Sequence, residues 1–174
     1  MPKPAIVYRI LIASPSDTEE ERKAIPEVIR NWNIANSLYR GIYLEPVLFE
    51  THSSPQMGDR PQAILNRQLV KDCDILIGIF WTRLGTPTGE AESGTIEEIE
   101  EFRKVNKPVL LYFSSVPVEP DGIIIGQFNR LLKFKERCEK EGLVSTYESI
   151  SDFREKLQKH ITLTINTLHN SVNS

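Results

Sequence analysis

The sequence offers little to a metal ion or a disulfide: it has two cysteines and three histidines in 174 residues. Cys73 and Cys138 stand 65 positions apart, outside any metal-type pair or disulfide framework. They read as free thiols of a reducing cytoplasm. His52, His160 and His169 make no local zinc motif, so no metal is expected. No apolar run approaches the roughly 18–20 residues of a membrane helix, and no membrane partner is expected. The opening Met1-Pro2-Lys3-Pro4-Ala5 lacks the apolar segment and cleavage site of a signal peptide. Neither sign of charge dominates: 21 Lys and Arg face 24 Asp and Glu, for a net charge of −3. That balance leaves no broad electrostatic footprint for a nucleic-acid partner. Internal repeats and low-complexity segments are absent as well.

What remains is globular. Hydrophobic residues make up 40% and charged residues 26%, enough for a full core without staples. The length suits one domain over 1–174, either a whole protein or a piece of a longer one.

Strand-like and helix-like segments alternate along the chain. Val7 to Ala13 is a short apolar run, bounded by Pro4 and by Ser14-Pro15-Ser16-Asp17, and reads as a buried strand. A helix is expected over Asp17–Asn36, with Ser16 and Glu19 as a capping box and Pro26 as a kink or late start. Ile42–Phe49 reads as a strand, and Pro46 places it at a sheet edge. A loop over Thr51–Asp59 leads to a helix from about Pro61 to Lys71. Asp74–Phe80 is the clearest strand. The loop Trp81–Gly94 then precedes a helix over Thr95–Asn106 and a strand over Pro108–Phe113. After Ser114–Gly122 come a helix to about Gly142, a strand at Leu143–Tyr147 and a helix from Ser151 towards Leu168. The tail from His169 to Ser174 is polar and expected to fray.

Five strands alternating with five helices predict an α/β fold with helices on both faces of a parallel sheet. Right-handed crossovers make the simplest arrangement a flavodoxin-like, doubly wound sheet of order 2-1-3-4-5. Ligands of such sheets sit outside the carboxyl ends of the strands, where the order reverses. Three places qualify: Ser14–Asp17, Trp81–Gly85 and the start of the helix at Thr95.

The last place holds four glutamates in five positions, Glu97, Glu98, Glu100 and Glu101. Acids suit the first turn of a helix, and Thr95 with Glu98 fits a capping box. At about 100° per residue, however, Glu98 falls in the arc of Ile96, Ile99, Phe102 and Val105. Glu97, Glu100, Glu101 and Lys104 fall on the opposite, solvated side. A carboxylate on the inward side of a helix's first turn, at the mouth of a parallel sheet, is where a catalytic acid can sit. On spacing alone the capping and site readings stand level.

The other candidates carry a structural alternative each. Ser14 and Ser16 can bind a ribose or phosphate, or simply make turns and caps. Asp17 can orient a ligand hydroxyl or cap a helix, and Trp81 can stack on a base or close the sheet end. Arg83 can clamp a phosphate or lie idle on a loop. Gly85-Thr86-Pro87-Thr88-Gly89 lacks the Gly-Lys-Ser/Thr of a Walker loop. Arg60 and Asp59 read as a surface pair, and no Gly-x-Ser-x-Gly supports serine hydrolase chemistry.

Asp74-Ile-Leu-Ile-Gly-Ile-Phe80, then Ser93-Gly-Thr-Ile-Glu-Glu98-Ile, then Lys107-Pro-Val-Leu-Leu-Tyr resembles the core of nucleoside deoxyribosyltransferases. That resemblance puts the family's nucleophilic glutamate on Glu98 and Thr95 beside it. The first-strand loop Ala13-Ser-Pro-Ser-Asp17 differs from theirs, so their substrate contacts are not carried over there. The opening Arg9-Ile-Leu-Ile-Ala-Ser-Pro-Ser-Asp-Thr-Glu-Glu-Glu-Arg22 resembles a TIR-like family of unknown function found at the amino end of prokaryotic NTPase and repeat proteins. Together the two similarities span about Tyr8 to Phe113. TIR-related domains include enzymes that cleave NAD with a helix-borne glutamate.

The resemblance implies cleavage of an N-glycosidic bond with Glu98 catalytic, and the three switch-point places nominate Ser14, Ser16, Asp17, Trp81, Arg83 and Thr95 for substrate binding. Nicotinamide leaves NAD as a neutral molecule and needs no proton donor, whereas an ordinary nucleoside needs one. Asp17, Asp59, Glu90 and Glu92 lie in loops or caps and supply no evident partner acid. NAD or a nucleotide-like molecule is therefore the expected substrate, with no cofactor and with homo-oligomerisation on activation in prokaryotic defence or signalling. The alternatives are a deoxyribosyltransferase or nucleotide N-glycosidase, and a non-catalytic self-association module.

Overall fold

Every position of Ile75–Phe80 is buried, which a strand achieves only when both faces of its sheet are covered. The computed structural model describes residues 1–48, 61–89, 91–142 and 144–174. In chain order the elements are β1 (Ile6–Ala13), α1 (Glu19–Arg40), β2 (Ile42–Val47), α2 (Pro61–Asp72), β3 (Ile75–Phe80), α3 (Gly94–Lys104), β4 (Val109–Ser114), α4 (Ile125–Glu141), β5 (Ser145–Tyr147) and α5 (Ile150–Val172). The strands form one parallel sheet of order β2-β1-β3-β4-β5, the flavodoxin-like arrangement expected from the alternation.

Strand alternation sorts the core into two layers. Ile10, Ile12, Ile75, Ile77 and Ile79 face α1 and α5, meeting Ile25, Ile29, Trp32, Phe153, Leu157 and Ile161. Leu11, Ala13, Leu76 and Phe80 face α2, α3 and α4, meeting Leu69, Ile96, Ile99, Phe102, Leu131 and Phe134. Each fully buried Ile, Leu or Phe contributes on the order of 1.5–3 kcal/mol. At Gly78 the sheet admits no side chain: a Cβ there would stand 2.8 Å from Leu111 and 3.3 Å from Ile99. That close approach seats α3, the helix of Glu98, tightly on β3.

The edge and the helix ends follow from particular side chains. Asn33 pairs with both backbone groups of Leu44, accepting from its N–H and donating to its carbonyl, each at 2.8 Å. It covers the open side of β2 as a neighbouring strand would. Pro46 lies two residues further along, so its missing N–H faces the same open edge and no ladder bond is lost. Helix α3 ends in a Schellman arrangement: Asn106 takes φ 56°, its N–H donates to Arg103 O, and the N–H of Lys107 donates to Phe102 O. Lys107 is thereby delivered to α2, where its ammonium donates to the carbonyls of Val70 and Cys73.

Several boundaries differ from expectation. Helix α1 begins at Glu19, with Thr18 as N-cap and its hydroxyl bonded to Pro15 O at 3.0 Å, so Ser16 and Glu19 make no capping box. It continues through Pro26 as far as Arg40, where Gly41 turns left-handed at φ 65°. Val105 lies beyond the last residue of α3 and is 50% exposed, outside the apolar arc assigned to it. Helix α5 runs to Val172 because the expected polar tail keeps its i→i−4 bonding, down to Asn173 N on His169 O. The expected strand residues Phe49 and Leu143, the loop Thr51–Asp59 with His52, the Asp59–Arg60 pair and Glu90 lie outside the described residues. Among those described, no helix is long and apolar enough to cross a membrane.

Candidate functional site

The β1–α1 loop, the β3–α3 loop and the first turns of α3 meet over the carboxyl ends of β1 and β3. They line an open cavity of about 450 Å³, within the usual range for small-molecule sites. Ser14 and Ser16 enter from the first loop, Thr86 and Thr88 from the second, and Thr95 and Glu98 from α3. Ser14 and Glu98 are thus brought together from positions 84 residues apart. Arg22 reaches the same cavity from α1. Glu98 and Arg22 are the charged residues among the described lining, and they come from helices on opposite faces of the sheet.

The start of α3 departs from the expected cap. Ser93 is the N-cap: its buried hydroxyl accepts from Ile96 N at 3.2 Å, and its carbonyl accepts from Glu97 N at 3.0 Å. Thr95 therefore sits inside the first turn, and the Thr95–Glu98 capping box does not form. Glu98 falls in the second turn, partly buried at the cavity wall. Glu97, assigned to the solvated face, is only 7% exposed. The wheel sees one helix, whereas burial at a helix start is decided by the loops packed around it.

Three devices hold the cavity walls. Asp17 Oδ2 accepts from both the N–H and the hydroxyl of Thr82, at 2.9 and 2.7 Å, tying the β1–α1 loop to the end of β3. Gln127 of α4 clamps the β3–α3 loop: its Oε1 accepts from Leu84 N and Gly85 N, and its Nε2 donates to Gly85 O, at 3.1–3.3 Å. Gly85 itself adopts φ 108°, and a Cβ there would meet Ser93 Cβ at 3.0 Å. A side chain at that position would push the loop off the start of α3.

Trp81 and Asp17 line a different cavity, about 440 Å³, with no residue in common with the first. Its described lining is acidic: Asp17, Glu19, Glu20, Glu21 and Glu148 surround Trp81, Val116 and Ile150, with no basic side chain. Trp81 is fixed by a 2.8 Å bond from its indole N–H to Val116 O. Glu21 accepts from the buried Tyr147 hydroxyl at 2.8 Å, and burial together with that bond pushes the Tyr147 pKa up. Arg83 borders neither cavity, and its buried Nε has no hydrogen-bond partner. A larger hollow of about 650 Å³ opens at the other end of the sheet, beside Lys107 and Val144, and none of the nominated residues lines it.

The cysteines are free, as expected, and both are buried. Burial pushes the Cys73 thiol up to about 12 and the Cys138 thiol to about 11, so neither is a nucleophile at neutral pH. His160 bonds Tyr112 through Nδ1 at 2.7 Å, away from the carboxyl-edge cavity. Among the described residues no cluster of His, Cys, Asp or Glu can hold a metal ion.

Residues of the candidate site that escaped sequence reasoning include Arg22, Thr86 and Thr88 in the cavity wall and Gln127 behind it. Arg22 had a signal: it is a cation just after three glutamates at a helix start, where the dipole disfavours positive charge. Gln127 had none, since its role exists only once α4 packs beside the β3–α3 loop.

Sheet order and the cavity at its switch point define a flavodoxin-like α/β domain with a ligand-sized site at the usual place. The chain belongs to the DUF4062 family, a domain of unknown function whose model matches residues 9–162. No curated protein sequence matches it. Among solved structures, it is similar to the translation elongation factor SelB from Methanococcus maripaludis, at 12% identity and a TM-score of 0.51. That match covers 95% of this chain and 34% of the factor, so this chain spans about a third of the factor's length and shares its fold alone. The TIR domain heterodimer of RPS4 and RRS1 matches at 11% identity and a TM-score of 0.48, covering 91% of this chain and 97% of that one. Oxidised flavodoxin 1 from Bacillus cereus matches at 16% identity and a TM-score of 0.40, covering 93% and 98%.

Proposed function

We propose that this protein is a TIR-like domain that cleaves an N-glycosidic bond, with NAD as substrate and Glu98 at the reacting centre. The observation that carries this reading is the open cavity at the switch point, which Glu98 lines together with Ser14, Ser16 and Thr95. A carboxylate beneath the anomeric carbon stabilises the oxocarbenium-like charge that develops as the bond to nitrogen breaks, or attacks it. The bonding electron pair leaves with nicotinamide, which neutralises its pyridinium, so no proton donor is required. Water then adds to the anomeric carbon and releases a proton. A single carboxylate in the described lining suits that economy better than it suits a neutral nucleoside, whose base must be protonated.

Two parts of the deoxyribosyltransferase-like pattern act elsewhere. Asp74 and Lys107 sit at the amino end of the sheet, bonded to backbone groups of β1 and α2. Only the Ser93–Glu98 segment reaches the cavity, which weakens that alternative. Trp81 and Asp17 support the site from next door, and the acidic cavity they line suits neither phosphate nor pyrophosphate.

The test is nicotinamide release from NAD at high protein concentration, where self-association expected of TIR-like enzymes is favoured. Glu98→Gln keeps the shape and removes the charge. We expect release by the wild type and a fall of at least about a hundredfold in the variant. Full activity in Glu98→Gln would overturn the mechanism. Silence of both, across a panel of nucleosides as well, would favour a non-catalytic assembly module.

A further inference from the structure

The arginine nominated from sequence as a phosphate clamp, Arg83, does not border the Glu98 cavity. Arg22 does, and its placement says how a ligand would lie. Helix α1 packs on one face of the sheet and α3 on the other, so the cavity stretches over the carboxyl edge from Arg22 to Glu98. Between them the described walls carry hydroxyls, Ser14 and Ser16 on the side of β1 and Thr86 and Thr88 on the side of β3. A carboxylate at one end repels an anion and suits a developing cation. A guanidinium at the other end suits an oxyanion.

We propose that Arg22 is the anion anchor of this cavity, so that its ligand is a phosphate-bearing nucleotide with the phosphate towards α1 and the reacting sugar towards Glu98. The inference rests on the reading of the Glu98 cavity as the substrate site, and it adds the residue that holds the phosphate and the direction in which the ligand lies. A phosphate-free nucleoside forgoes the Arg22 contact and binds weakly. The neighbouring cavity, walled by five carboxylates, offers a phosphate no competing position.

Binding of ADP-ribose and of adenosine, measured by titration calorimetry on the full chain, tests this without any turnover. Wild type is expected to bind ADP-ribose, and Arg22→Gln to bind it at least about tenfold more weakly, with adenosine affinity the same in both. Arg22→Lys keeps the charge and the stem but loses the planar fork, and is expected to fall between them. It also serves as the test if Arg22→Gln fails to fold. Unchanged ADP-ribose affinity in the variants, an equal loss for both ligands, or no ADP-ribose binding by the wild type would each overturn the proposal. Tight, Arg22-dependent binding of ADP-ribose without nicotinamide release from NAD would sustain the anchor while removing the glycosidase reading.

Discussion

The two ends of the sheet are built to different standards. At the amino end, Asp74 and Lys107 are each matched to backbone partners. The Asp74 carboxylate accepts from Arg9 N and Asp74 N donates to Arg9 O, both at 2.8 Å, while Lys107 satisfies the last carbonyls of α2. At the carboxyl end, Ser14 Oγ, Asp17 Oδ1 and Arg83 Nε are buried without a hydrogen-bond partner. They are three of the five such side-chain atoms among the described residues; the others are Tyr8 Oη, near the Asp74 charge at the amino end, and His169 Nδ1 in the last turn of α5, so the contrast is one of degree. Buried polar groups left incomplete work against the folded state, and proteins concentrate them where a ligand or a reaction uses them. The contrast separates the residues that hold the fold from those that shape a site.

Substitutions at the two ends should therefore fail in different ways. The largest effect is expected at Gly85→Val, which forces a β-branched residue into φ 108° and against Ser93. Urea unfolding should show a loss of about 3 kcal/mol or more, and ADP-ribose affinity should fall with it as the cavity wall shifts. Retained stability would mean that the loop closes on α3 less tightly than the geometry requires. Next comes Lys107→Met, which strands two carbonyls at the end of α2 and should cost about 1–3 kcal/mol. Its ligand affinity should match wild type, and a parallel loss of binding would blur the separation of the two ends.

A smaller effect concerns pH. His160 is held below its ordinary pKa by burial first, then by Lys159 and Lys156, while its Nδ1 meets the Tyr112 hydroxyl. The unfolded chain takes up a proton near pH 6.5 and the folded chain only at lower pH, so stability falls as pH drops through that window. Denaturation midpoints at pH 7.5 and 5.5 should differ less in His160→Gln than in wild type. An unchanged difference would assign the pH dependence to other groups.

Much of this contrast was legible before the fold was known. The apolar run Asp74–Phe80, the single Pro46 and the regular alternation led to the observed sheet order, because burial and ladder bonding leave few alternatives for such runs. For Glu98, wheel position and the switch-point rule leave site and cap level, and it is the resemblance to deoxyribosyltransferases that singles it out. What escaped depends on contacts between distant segments. Ser93 displaced Thr95 as the cap, and Glu97 is buried, because loops at the carboxyl edge close around the start of α3. Val105 left the apolar arc because the helix ends at Lys104, two residues earlier than expected, with Asn106 turned left-handed. Trp81 and Arg83 were nominated from position in the loop after β3, but a loop residue's direction is not periodic, and neither reaches the Glu98 cavity.

The most direct test of the division between ends is nicotinamide release from NAD by three proteins side by side: wild type, Glu98→Gln and Lys107→Met, each with its unfolding midpoint. The account predicts that Glu98→Gln folds as stably as wild type and is silent, while Lys107→Met is less stable and releases nicotinamide at the wild-type rate. Activity that tracks stability across the three, or that survives in Glu98→Gln, would contradict it.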